Sequence, residues 1–152
     1  MRNFDYESAA SFEEASTLLK NTESGKAVAI AGGTDLVGVM KEKILKKAPE
    51  KVVNLKTIKE GNYIKEEGNA IEIGALTKLT QIVESPELTE GAAAVQEAAK
   101  SIASPIIRNE GTIGGNLCQD VRCWFYRYPN GVGGRLDCAR KGGEECFAIQ
   151  GQ

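Results

Sequence analysis

Histidine is absent from all 152 residues. That excludes Ser-His-Asp and Cys-His catalysis, histidine-ligated zinc and axial histidine ligation of haem on this chain. Excess charge of either sign is also lacking. A net charge of −2 gives no basis for broad electrostatic binding to nucleic acid or an anionic membrane. No apolar run is long enough to span a bilayer, and Met1-Arg2-Asn3-Phe4-Asp5-Tyr6 has no secretory apolar region. The expectation is a cytoplasmic protein with neither a nucleic-acid nor a membrane partner. Its chemistry falls to a bound cofactor, cysteines, carboxylates, Lys, Arg or Tyr.

Glycine is plentiful, and two glycine-rich stretches carry most of the information. They are Ala31-Gly32-Gly33-Thr34-Asp35-Leu36 and Thr112-Ile113-Gly114-Gly115-Asn116-Leu117. Without a Cβ, glycine lets main-chain N–H groups converge on an anion. A helix opening beside such a loop adds unpaired donors and partial positive charge. Either stretch alone reads most simply as a tight turn before a helix. Both on one short chain suggest a pyrophosphate held between two segments, and so a dinucleotide cofactor.

The hydrophobic pattern predicts an α+β fold. A strand at Phe4-Asp5-Tyr6 precedes a helix from Ser11 to about Leu19, where Ser11 and Glu14 have capping-box spacing. Phe12, Ala15, Leu18 and Leu19 fall on its core face. Ala27-Val28-Ala29-Ile30 reads as a buried strand entering the first glycine stretch. Thr34 or Asp35 then caps a helix with Leu36, Val37, Met40 and Ile44, before a strand at Val52-Val53-Asn54-Leu55. This β-α-β-α-β order favours a small parallel or mixed sheet, with the ligand loop at the carboxyl end of its second strand. Beyond it come a hairpin around Glu67-Gly68-Asn69, a helix from Thr77 or Lys78 to Val83, and a longer one from Gly91 to Ala103 carrying Ala94, Val95, Ala98, Ala99 and Ile102. The division expected is a first lobe over residues 1–55, a second mixed α+β lobe over 56–117, and a cysteine-rich irregular segment over 118–152.

All four cysteines, Cys118, Cys123, Cys138 and Cys146, lie in that last segment, separated by four, fourteen and seven residues. Structural zinc sites are built from Cys-x₂₋₄-Cys pairs, which the separation of seven fits poorly, whereas a loop wrapping an iron-sulfur cluster tolerates irregular spacing. Arg122, Arg127, Arg135, Arg140 and Lys141 would offset the charge of a thiolate-ligated cluster. Trp124, Phe125, Tyr126 and Tyr128 would shield it from water. Zinc, free thiols and, in an oxidising compartment, disulfides are the other readings.

At these residues the chain resembles the FAD-binding subunit of the molybdenum hydroxylases, the family of xanthine dehydrogenase, carbon monoxide dehydrogenase and 4-hydroxybenzoyl-CoA reductase. The likeness rests on Ala31 to Leu36 and on Ile107-Arg108-Asn109-Glu110-Gly111-Thr112-Ile113-Gly114-Gly115-Asn116-Leu117. It implies a two-lobed FAD-binding domain in which Gly32, Gly33, Thr34 and Asp35 form one wall around the pyrophosphate. Thr112, Gly114, Gly115 and Asn116 form the other. Backbone donors would serve the diphosphate from both walls, with Asp35 capping or bracing rather than touching phosphate. Ile30 and Leu76 would neighbour the flavin, and Ala31 and Leu36 flank the first wall. Arg122-Cys123-Trp124-Phe125-Tyr126 is similar to an insert that holds an extra 4Fe-4S cluster in part of the family. Its ligands would be Cys123, Cys138 and Cys146, with Cys118 or a residue beyond Gln152 as the fourth.

The resemblance further implies partners. A molybdenum cofactor and 2Fe-2S clusters would sit on partner subunits, and NAD or ferredoxin would exchange electrons with the complex. The family's subunit has a further C-terminal lobe, supplied by a partner chain or lost from this one, and Cys146-Phe147-Ala148-Ile149 reads as a strand leading towards it. The alternative is a non-catalytic Cys₄ zinc-binding or assembly module on the same scaffold.

Overall fold

The computed structural model describes residues 1–128 and 138–149. Three short strands, β1 (Asp5–Ser8), β2 (Ala27–Ile30) and β3 (Lys51–Asn54), form a parallel sheet in the order β1-β3-β2. Parallel neighbours need crossover connections, which α1 (Phe12–Lys20) and α2 (Leu36–Lys41) supply. The central strand buries Val52 and Val53. β2, expected to be buried, is an edge strand, and all four of its residues are only half-buried. One side of it borders a cavity.

Helix α1 begins as its spacing predicts. Ser11 Oγ accepts the Glu14 amide at 3.1 Å, and Glu14 Oε2 accepts the amide of Ala10 at 2.6 Å, so the box closes one residue upstream of the cap. Ala15 is buried, and Leu18 and Leu19 pack onto a core of Ala9, Val53, Ile58 and Leu76. Phe12 departs from expectation. It is 40% exposed, with its ring tip against Gly61, where the missing Cβ makes room.

Next come the antiparallel strands β4 (Ile64–Glu67) and β5 (Ala70–Ile73), in the register Glu67↔Ala70. Gly68 opens their two-residue connection at φ +63°, a conformation glycine adopts without penalty. Helix α3 (Leu79–Glu84) follows. The helix expected from Gly91 to Ala103 is α5 (Ala93–Ser101), and a short helix that the pattern did not give, α4 (Pro86–Gly91), precedes it, separated at Ala92. Ser85-Pro86 thus starts a helix as well as ending one, because proline at the first helical position gives up only an N–H that would be unpaired. Of the small apolar residues expected along α5, Ala99 alone is buried, while Ala94, Val95 and Ala98 face outward. Leu79, Ile82, Leu88 and Ala99 form a second core against Ile64, Ile71 and Ile73 of the hairpin.

Three short α-helices follow, α6 (Pro105–Glu110), α7 (Ile113–Leu117) and α8 (Trp124–Arg127), and a 3-10 turn lies at Ala139–Lys141. A third core joins Val39 and Ile44 to Tyr126 and Cys138, fixing the cysteine segment against the end of α2. Phe147 packs against Phe125 with ring centroids 5.5 Å apart. The run Cys146 to Ile149 forms turns rather than the expected strand.

Candidate functional site

The first glycine stretch leaves the sheet where β2 ends and turns back into α2. Gly33 takes φ +75°, which a side chain would strain. A Cβ on Gly32 would lie 2.8 Å from the Glu110 carbonyl carbon and 2.9 Å from Gly111 Cα, so main chain packs directly on main chain. The amides of Gly32, Gly33, Thr34 and Asp35 have no hydrogen-bond partner among the described residues.

The second stretch is a capped helix rather than a loop. Thr112 Oγ1 accepts the Gly115 amide at 3.1 Å. Ile113 N donates to Thr77 O and Gly114 N to Ala75 O, each at 2.9 Å, and Asn116 N donates to Thr112 O at 2.9 Å. These four amides are already engaged, whereas that of Thr112, on the same side, has no hydrogen-bond partner among the described residues. Gly114 also faces away from the first stretch: its absent Cβ would sit 2.7 Å from Ala75 O.

Both stretches border one cavity of about 710 Å³. Ile30, Ala31, Gly32, Gly33, Thr34, Asp35 and Leu36 line it from one side, and Thr112, Gly115 and Asn116 from the other. Gly114 is not on its wall. Leu76, expected near the flavin, is buried in the first core instead. Val28, Val39, Leu45, Leu79, Ile102 and Ile107 make the cavity's apolar portion, while Gln119, Asp120 and Arg122 line its polar end. Ile102 lies in no motif, and Ile107 and Arg122, though inside motifs, were not expected on the cavity; all three reach it through the packing of α5, α6 and the chain after α7.

Asp35 is a brace rather than a cap. It occupies the residue before α2 but makes no capping bond. Its Oδ1 accepts from Arg122 Nη1 at 2.9 Å, and its Oδ2 accepts from Arg127 Nη2 at 2.9 Å and from the Asp120 amide at 3.3 Å. Burial alone would raise its carboxyl pKa; the Arg127 and Arg122 guanidiniums and the Asp120 amide outweigh that and hold it below the ordinary aspartate value. Asp120 behaves alike. Burial opposes ionisation, but bonds from Tyr126 and Arg140 keep its pKa low. Tyr126 is pushed up to about 12, first by burial and then by donating to the Asp120 carboxylate. Arg108, beside the second stretch, is structural: its Nη1 donates to Ile102 O at 2.8 Å.

Two of the cysteines pack in one core and two are exposed. Cys138 is buried in the third core with Cys123 packed beside it, while Cys118 and Cys146 are exposed and Cys118 borders the cavity. The described residues contain no group of three or more His, Cys, Asp or Glu placed to hold a metal ion. The set Cys118, Cys123, Cys138 and Cys146 is therefore not assembled in this structure, either for a 4Fe-4S cluster or for zinc. Trp124, expected as a shield, is 91% exposed. Arg135 lies outside the described residues.

Residues 2–123 match the family described as the FAD binding domain in molybdopterin dehydrogenase, and the chain belongs to that family. The nicotinate dehydrogenase FAD-subunit of Eubacterium barkeri is 42% identical over 117 residues, covering 77% of this chain and 39% of that protein. The aldehyde oxidoreductase FAD-binding subunit PaoB of Escherichia coli (strain K12) is 28% identical over 152 residues, covering 99% of this chain and 45% of its own length. A solved carbon monoxide dehydrogenase from Hydrogenophaga pseudoflava, lacking the Mo-pyranopterin moiety of its cofactor, superposes with TM-score 0.72 at 37% identity. That match covers 76% of this chain and 39% of the other. The mixed α+β fold is similar to that structure's, and the chain spans about two fifths of the length of these relatives. No helix among the described residues is long and apolar enough to cross a membrane.

Proposed function

We propose that this chain is the FAD-binding, electron-transferring part of a multi-subunit molybdenum hydroxylase, an oxidoreductase akin to xanthine and aldehyde dehydrogenases. The observation that carries the reading is a single cavity bounded by both glycine stretches, with the unpaired amides of Gly32, Gly33, Thr34 and Asp35 on its wall. Those amides fit a diphosphate, and the apolar portion fits the rings of a dinucleotide. In this reading residues 1–55 and 56–117 are two lobes meeting on the cofactor, and residues 118–152 close its polar end. Ile30, Ala31, Thr34, Leu36, Thr112, Gly115 and Asn116 complete the binding surface, with the Thr34, Thr112 and Asn116 side chains able to add polar bonds.

When bound, FAD supplies the redox chemistry, and the protein contributes binding, orientation and electrostatics. Asp35, with two arginines on its oxygens, fixes the loop that holds the amides in place. Partner subunits would carry the molybdenum cofactor and the 2Fe-2S centres, with NAD or ferredoxin as the external acceptor or donor, in the cytoplasm. Titration of the chain with FAD, followed by flavin fluorescence and equilibrium dialysis, tests the proposal. Saturable one-to-one binding is expected; no binding by FAD or by ADP would sink it.

A further inference from the structure

The cavity's two sides are electrostatically unequal. Among the described residues the four amides of Gly32 to Asp35 have no hydrogen-bond partner, whereas on the other side only that of Thr112 has none and those of Ile113, Gly114, Gly115 and Asn116 are spent on Thr77, Ala75 and Thr112. A diphosphate on the free amides would also lie in a cavity lined by two carboxylates, Asp35 and Asp120. Binding then calls for a cation near the anion, since unscreened like charges in a partly enclosed site repel strongly. Among the described residues, Arg122 is the only lysine or arginine on the cavity wall.

Arg122 is also free to move. Its side chain is 68% exposed, and its single recorded bond is to Asp35 Oδ1. Arg127 is held much harder. Only 18% of its side chain is exposed, and it donates to Asp35 Oδ2 at 2.9 Å, Asp120 O at 2.7 Å and Val121 O at 2.8 Å. If Arg122 swings away, Asp35 keeps both Arg127 and the Asp120 amide. We propose that Arg122 is a direct ligand of the FAD diphosphate, exchanging its bond to Asp35 for one to a phosphate oxygen while Arg127 stays as the brace. The planar fork of guanidinium donors suits phosphate oxygens, and the bond is charge-assisted. This inference rests on the FAD reading above and names the cation that reading lacks.

The test compares the full chain with Arg122→Ala, titrated separately with FAD, ADP and riboflavin. The substitution is expected to weaken FAD and ADP about ten- to hundred-fold and to leave riboflavin, which has no diphosphate, unaffected. Rising KCl should cost the parent chain more affinity than the variant. Repeating the substitution in an Asp35→Asn background separates direct contact from bracing: the loss persists if Arg122 touches phosphate, and its disappearance there overturns the inference. Unchanged FAD and ADP affinity in Arg122→Ala overturns it too, with the flavin reading intact. Failure of the parent chain to bind either nucleotide removes both.

Discussion

Gly32 and Glu110 meet main chain to main chain. One follows the edge strand β2 and the other ends α6, and their contact puts two distant glycine stretches on a single cavity. Gly32→Ala would drive a methyl group into the Glu110 carbonyl, where neither backbone can yield cheaply. A loss of about 1–3 kcal/mol is expected, with weakened FAD binding. Gly38→Ala is the control. Nothing lies within 4 Å of a Cβ there, and exchanging an exposed helical glycine for alanine gains up to about 1 kcal/mol. Urea melts of the two variants should move in opposite directions.

Gly114→Val separates packing from ligand contact. From the motif alone, the valine would intrude on the phosphates. In the fold its side chain meets Ala75 instead. The expected result is a lower melting temperature without FAD present, by about 1–3 kcal/mol in stability. A variant of normal stability that has lost only flavin affinity would contradict this packing.

Thr112 secures the start of α7 through its bond to the Gly115 amide. Thr112→Val keeps the shape and removes the oxygen, at a cost of about 1 kcal/mol. Thr112→Ser should restore most of the difference in a denaturant titration.

Acid should loosen the brace around Asp35. With folded pKa values of Asp35 and Asp120 below the ordinary aspartate value, their contribution is complete above the unfolded pKa of about 3.9. It is lost as pH falls through the lower folded values. Arg127→Ala removes the guanidinium that most depresses Asp35, so its acid unfolding midpoint should rise towards neutral pH. Circular dichroism against pH measures the displacement.

Alkali probes the same cluster from the other side. Tyr126, raised to about 12, favours the folded state fully below the unfolded tyrosine pKa of about 10. That contribution is lost as pH climbs through 12. Of the four tyrosines, one should show tyrosinate absorbance only near pH 12. Tyr126→Phe should delete that step.

Much of this was legible in residue order. The Ser11–Glu14 spacing placed the start of α1, the apolar runs placed β2 and β3, and Gly68-Asn69 placed the hairpin, because these signals act between residues a few positions apart. Helix α4 (Pro86–Gly91) was not legible: it is only six residues long, with Leu88 its one buried residue, and packing against the second core decides it. Phe12 was misjudged for a similar reason, since helical periodicity gives a face but not what lies opposite it.

For the site, the amino-acid order determined which backbone segments are glycine-rich enough to approach an anion, and it pointed to a dinucleotide. Tertiary structure decided which of those segments still has amides to offer. The Ile113 and Gly114 amides are consumed by Thr77 and Ala75, partners that only folding brings near, whereas the amides of the loop after β2 meet no acceptor among the described residues. Folding also set Arg122 and Arg127 on Asp35 and packed Cys123 beside Cys138. Hydrogen bonding and charge pairing depend on distances across the fold, and spacing along a chain does not fix those distances.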